Sequence, residues 1–226
     1  MERSNSEGLH RGGGNAYVGA VRGLYAIVDP ERCAGRDPLE VASAILRGGC
    51  AIIQVRAKRM PDRERLALMR AVRSRAKERG VPFVVNDRPD LALLVDADGL
   101  HLGQDDLPIA EARRIVGRMM IGRSTHDLAQ LRVAMDEGAN LVGFGPVFAT
   151  KSKENPDPVV GLEGLARAVR VARVPIVAIG GITEASASGV ARTGVALGAA
   201  IAAIGEAPDP EQAARALHRA LSGSTG

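Results

Sequence analysis

VVNDRPDLALLVDADGLHLGQDD, residues 84–106, carries the pattern that decides the fold. An apolar run, PFVV (82–85), stops at Asn86-Asp87. RPDLALLV (88–95) then has helical spacing, and a second apolar run, GLHL (99–102), stops at Gly103-Gln104-Asp105-Asp106. Strand, helix and strand in succession are the unit of a parallel sheet. Both strands end in carboxylates, with little chain between them.

The same alternation runs outward in both directions. Upstream lie LYAIVD (24–29), the helical DPLEVASAILRGG (37–49), AIIQVR (51–56) and the long amphipathic DRERLALMRAVRSRAKERG (62–80). Asp37 reads as an N-cap, with Pro38 at the first helical position and Gly48 near the end. Downstream, MMIGRS (119–124), LVGFG (141–145) and PIVAIGG (175–181) read as strands. Helical stretches at 109–117, 127–138, 161–173 and 184–194 separate the downstream elements. VALGAAIAAI (195–204) is the eighth strand candidate, although it has high helix propensity and little β-branching. A last helix, DPEQAARALHRALS, follows it.

Eight evenly sized units in about 200 residues predict a single-domain α/β protein, a closed (β/α)₈ TIM barrel over residues 24–222. The alternative is an open doubly wound sheet, but no Gly-rich dinucleotide fingerprint follows the first strand. Residues 1–23, polar and Gly-rich, read as a flexible extension.

Composition agrees. Hydrophobic residues make up 46% of the 226-residue chain and aromatics only 2%, so Val, Ile, Leu and Ala must build the core, which suits buried parallel strands. The net charge of +4 is mostly Arg on helix faces, with no aromatic interleaving to stack bases; nucleic-acid binding is not expected. Cys33 and Cys50 form no ligand pattern and read as reduced thiols. No apolar run reaches membrane-spanning length and the N-terminus lacks a signal-type apolar stretch, so a cytoplasmic protein without membrane contacts is expected. A homo-oligomer is neither required nor excluded.

Active sites of such barrels lie where strands end and βα loops begin. Asp87 ends strand three and Asp106 follows strand four, and adjacent strands are about 4.8 Å apart. The two carboxylates can therefore share one cation, and so small an oxygen set suits Mg²⁺. The plainer alternative is that each Asp caps the helix after it. Arg56 and Lys58, one residue apart at the end of strand two, face one side and suit a diphosphate. After strand six, GPVFATKSKENPDP offers Thr150, Lys151, Ser152 and Lys153 to a phosphate, or forms an ordinary solvated loop. Gly180-Gly181 ends strand seven, where backbone N–H groups can approach an anion. After strand five come Ser124, a candidate donor, and His126, either a general base or a capping or surface histidine.

QVRAK (54–58), VND (85–87), GLHLGQDD (99–106), IGRSTH (121–126), GPVFATKSK (145–153), VGLEGL (160–165) and VAIGGIT (177–183) occur in this order. Together they resemble the thiamine phosphate synthases, a family of phosphate-binding TIM barrels, over about Leu24 to Ile204. The resemblance implies a condensation of 4-amino-5-hydroxymethyl-2-methylpyrimidine diphosphate with a thiazole phosphate, releasing pyrophosphate. It implies Mg²⁺ on Asp87 and Asp106. It implies a pyrimidine diphosphate site from Gln54, Val55, Arg56, Ala57, Lys58, Asn86, Ser124 and Lys153, with Arg56, Ser124 and Lys153 serving the chemistry. Thr150, Lys151, Ser152, Gly181, Ile201 and Ala202 are implied for the thiazole phosphate, the last three through backbone groups. A thiazole tautomerase, similar in sequence, and a non-catalytic phosphate-binding barrel are the rival readings.

The chain departs from the family in four places. Val55 stands where Leu is usual, Ala57 where an acidic residue is usual, and Ser152 where Thr is usual. In strand eight the family tends to read AGADGVAVISAI and this chain reads TGVALGAAIAAI, so Ala202 takes the place of Ser.

Overall fold

A computed structural model of the chain describes residues 21–150 and 157–223. Eight parallel strands close into a barrel in sequence order, with β1 paired to both β2 and β8. They are β1 (Gly23–Val28), β2 (Ile52–Val55), β3 (Phe83–Asn86), β4 (Gly99–Leu102), β5 (Met120–Thr125), β6 (Leu141–Phe144), β7 (Ile176–Ala178) and β8 (Leu197–Ala200). Around them lie α1 (Pro38–Gly48), α2 (Asp62–Glu78), α3 (Pro89–Leu94), α4 (Ile109–Val116), α5 (Leu128–Asp136), α6 (Gly161–Val171), α7 (Glu184–Arg192), α8 (Ala202–Gly205) and α9 (Pro210–Ser222). The expected (β/α)₈ architecture is present.

Local chemistry accounts for the boundaries. Asp37 caps α1 by accepting from Leu39 N at 2.9 Å, and Pro38 sits in the first turn, where its missing N–H has no helical partner to lose. Asp209 caps α9 in the same way through Glu211 N and Gln212 N. The segment 195–204 splits in two: its first half is β8, and its second half obeys its helix propensity as the four-residue α8. β1 starts at Gly23, one residue inside the stretch expected to be an extension, because Gly23 is in register with Leu197 of β8. Residues 1–20 of that expected extension lie outside the described residues.

Alternate strand residues face opposite sides, and this divides the apolar core. Tyr25, Ile27, Ile52, Val84, Met120, Leu141, Val177, Leu197 and Ala199 fill the barrel interior. Leu24, Ala26, Ile53, Phe83, Val85, Leu100, Ile121, Val142 and Ala178 belong to the larger cluster between barrel and helices. Aliphatic side chains dominate both layers, as the composition requires.

Candidate active site

The inward residues give way to polar groups near the strand ends. Above Ile52 comes Gln54, above Val84 comes Asn86, and His101 and Ser124 follow on β4 and β5. These four line a cavity of about 550 Å³, together with Arg56, Lys58, Asp87, Thr150, Gly181, Ile201 and Ala202. That size and position suit a small organic ligand.

One wall is a directed hydrogen-bond chain. Tyr25 Oη donates to Gln54 Oε1 at 2.7 Å, and Gln54 Nε2 donates to Asn86 Oδ1 at 2.9 Å. Burial pushes the Tyr25 phenol far above its ordinary range, so it remains a donor. The chain of bonds fixes both amides and leaves the Asn86 NH₂ to the cavity.

The opposite feature is a charged rim. Asp29, nearly buried at the end of β1, pairs with Arg56 and also accepts from Glu31 N at 3.0 Å. Lys58 Nζ lies 2.9 Å from Asp87 Oδ2. Asp87 holds φ +63°, left-handed backbone that a non-glycine residue adopts at a cost, and its N–H donates to His101 O at 2.8 Å. The Asp87 carboxyl lies against Asp106, whose Oδ2 accepts from Gly103 N at 2.5 Å. Burial first, and then the hydrogen bond to Asp106, push Asp87 up to about 6, against the pull of Lys58. Neither carboxylate caps a helix: the N-cap positions of α3 and α4 are Arg88 and Pro108, and neither has a side-chain cap bond. The capping alternative is thereby removed.

Some expectations need correction. Val55 and Ala57 face away from the cavity into the layer beneath the helices, because they alternate with Gln54, Arg56 and Lys58. His126 is neither a cap nor a surface group: Asp127 caps α5 through Gln130 N. The His126 Nδ1 lies 2.6 Å from Gly145 O and its Nε2 lies 3.3 Å from Asp157, so both ring nitrogens face protein acceptors at the cavity lining. Lys151, Ser152 and Lys153 lie outside the described residues. Tyr25, Asp29 and His101 were not expected in the site. Counting by twos along LYAIVD and GLHL places Tyr25 and Asp29 on the face of Ile27, and His101 on the face of Gly99 and Gly103.

Comparison with known proteins decides the family. The family model for thiamine monophosphate synthase matches residues 24–204. The thiamine-phosphate synthase of Roseiflexus sp. (strain RS-1) is 44% identical over 202 residues, 88% of this chain and 86% of that one. The enzyme of the same name from Anaeromyxobacter dehalogenans is 46% identical over 200 residues, 88% and 87% of the two chains. The solved thiamine phosphate pyrophosphorylase from Pyrococcus furiosus is 37% identical and superposes with a TM-score of 0.83, covering 90% of this chain and 97% of its own. The chain belongs to the thiamine monophosphate synthase family. It is, with that family, a transferase.

In this member of the thiamine monophosphate synthase family, β7 and β8 end in tight turns at the cavity. Gly181 has φ +63°, and a Cβ on it would sit 2.4 Å from Ala149 O. Gly181→Ala is therefore expected to lower stability by roughly 2 kcal/mol, about 5 °C in Tm, and to raise the KM for a phosphorylated ligand more than it lowers kcat. Thermal melts and steady-state kinetics check both. The strand-eight departure is also legible: Ile201 and Ala202 reach the cavity where α8 begins, and without the Ser hydroxyl only main-chain N–H groups of that turn are left to meet an anion.

The raised Asp87 value has a signed consequence. Its folded value, about 6, exceeds the ordinary 3.8, so the metal-free fold favours the protonated acid. The contribution is complete below the unfolded value and is lost as pH rises through the folded one. In chelator, Asp87→Asn is expected to gain Tm relative to the parent chain between roughly pH 5 and pH 7, and the gain is expected to shrink when Mg²⁺ is supplied.

Proposed function

We propose that this chain condenses 4-amino-5-hydroxymethyl-2-methylpyrimidine diphosphate with thiazole phosphate, giving thiamine phosphate and pyrophosphate, with Mg²⁺ as cofactor. The carrying observation is the juxtaposition of the Asp87–Asp106 carboxylate pair with Arg56 and Lys58 at the mouth of a cavity floored by neutral polar groups.

The donor set fits Mg²⁺. Asp87 and Asp106 are hard oxygen donors crowded together, and among the described residues no cluster of three or more His, Cys, Asp or Glu is present. A cation that takes one or two carboxylates and completes its shell with water and phosphate matches so sparse a set. When bound by these two residues, Mg²⁺ supplies charge stabilisation to the departing pyrophosphate. Arg56 and Lys58 share that task, and Lys153 is assigned to it by resemblance. Asn86, oriented by Gln54 and Tyr25, offers donors to the pyrimidine ring. An electron-rich aminopyrimidine carries the cation left when the C–O bond breaks, so no protein nucleophile is required. The thiazole nitrogen needs only positioning, with its phosphate met by the backbone of Gly181, Ile201 and Ala202, and by Thr150. A tautomerase has no use for a carboxylate pair facing two cations, which favours the synthase reading.

Among the described residues no helix is long and apolar enough to cross a membrane, and both cysteines are free and buried.

The test is direct. The purified chain is mixed with both substrates in Mg²⁺ or in excess chelator, and thiamine phosphate and pyrophosphate are measured. Both products are expected in Mg²⁺ and neither in chelator. A folded chain that gives none in either mixture overturns the reading.

A further inference from the structure

His101 has no role in the scheme above, yet the barrel is shaped around it. It projects from β4 into the interior, edge-on to Tyr25 with ring centroids 6.5 Å apart. Glycines stand beside it on the next two strands, and the nearer one makes room for it. A Cβ on Gly122 of β5 would lie 2.7 Å from His101 Nδ1, and one on Gly143 of β6 would lie 3.5 Å from Cε1. The ring's two nitrogens differ sharply. Nε2 lies 2.8 Å from Ser124 Oγ, whereas Nδ1 is shut off from solvent and has no hydrogen-bond partner among the described residues.

We infer that His101 is a positioning residue: its Nε2–H donates to Ser124 Oγ, and this turns the serine's own proton into the cavity as a donor to the pyrimidine diphosphate. The argument is one of tautomers. The ring is buried and among the described residues no carboxylate bonds to it, so the imidazole is neutral and carries one proton. Placed on Nδ1, that proton would be a buried N–H with nothing to receive it, and it would face the glycine hydrogen that stands where Gly122 lacks a Cβ. Buried orphan N–H groups are rarer than unsatisfied acceptors, so the lone pair belongs on Nδ1 and the proton on Nε2. Ser124 Oγ then acts as the acceptor toward His101. Among the described residues it has no other side-chain or backbone bond, and its hydroxyl proton can turn only to the cavity that Ser124 lines. Gly122 serves this geometry, since a Cβ there would press on the ring, whereas one on Gly143 would meet the ring and Ser124 at ordinary contact distance.

The identity of the acceptor rests on the synthase reading, but the tautomer does not. In nitrogen-15 spectra of the histidine-labelled, ligand-free chain, assigned by the signal that disappears in His101→Gln, the His101 proton is expected on Nε2. A proton on Nδ1 overturns the inference whatever the activity. The second arm is kinetic. Ser124→Ala and His101→Leu are each expected to lower kcat by about 10²-fold with a smaller change in KM, and the double variant is expected to fall no further than either. His101→Gln, which keeps an N–H donor, is expected to recover most of the loss. Multiplying losses, or a Gln variant as poor as the Leu variant, would mean that His101 merely fills space. If His101→Leu fails to fold, the spectrum of the unsubstituted chain decides alone.

Discussion

Asp106→Ala is expected to remove turnover by about 10³-fold or more while thiazole phosphate still binds with nearly its original affinity. The carboxylate lies against Asp87, just past β4, whereas the glycine and strand-eight turns proposed to hold the thiazole phosphate belong to β7 and β8. The substitution also removes the acceptor for Gly103 N, a single bond at the cavity rim, so the fold should survive. A second signature follows inside the same variant. With its neighbour gone, Asp87 loses the hydrogen bond and the like charge that raise it and keeps the Lys58 ion pair that lowers it, so its carboxyl should titrate below about 6. Product assays, calorimetry with thiazole phosphate and carboxyl-carbon NMR read the three effects. Undiminished turnover would sink the metal assignment.

Arg56→Met is expected to damage both stability and chemistry, and a second substitution separates the two. Asp29 is only 4% exposed and loses the Arg56 ion pair in this variant, keeping the Glu31 N–H. Stranding a buried carboxylate costs about 3 kcal/mol, or roughly 6–12 °C in Tm for a chain of this size. Turnover should fall by about 10²–10³-fold as well, because the cation proposed to face the leaving diphosphate is gone. In the Asp29→Asn/Arg56→Met pair the buried charge is absent, and Tm is expected to return most of the way. Turnover is not. A double variant that regained its rate would show that Arg56 serves Asp29 alone.

How far these residues were legible in the sequence depended on what specified each one. The barrel was readable because every strand is a short apolar run bounded by turn or capping residues, and Asp37 and Asp209 announce their helices through local bonds alone. Asp87 and Asp106 were readable because both stand just past a strand end. Arg56 and Lys58 were readable by alternation, and the same rule turns the side chains of Val55 and Ala57 away from the cavity. The polar interior was harder. Tyr25, Gln54 and Asn86 form one network only because β1, β2 and β3 are aligned as neighbours, and Tyr25 to Asn86 is a relation between strands that no local window contains. The bridge from His126 to Gly145 and Asp157 is likewise tertiary, and a lone histidine after a strand carries no sign of it.

The pairing of β1 with β8 has a consequence for how the chain is made. Leu24 N finds its acceptor, His218 Nδ1, 194 positions away, and β1 cannot close the barrel until β8 has left the ribosome. At about 5–20 residues per second, the first strand waits roughly 10–40 s with one edge unpaired. During synthesis this barrel is an open, lengthening sheet, and its N-terminal edge is the surface a growing chain must keep from joining another.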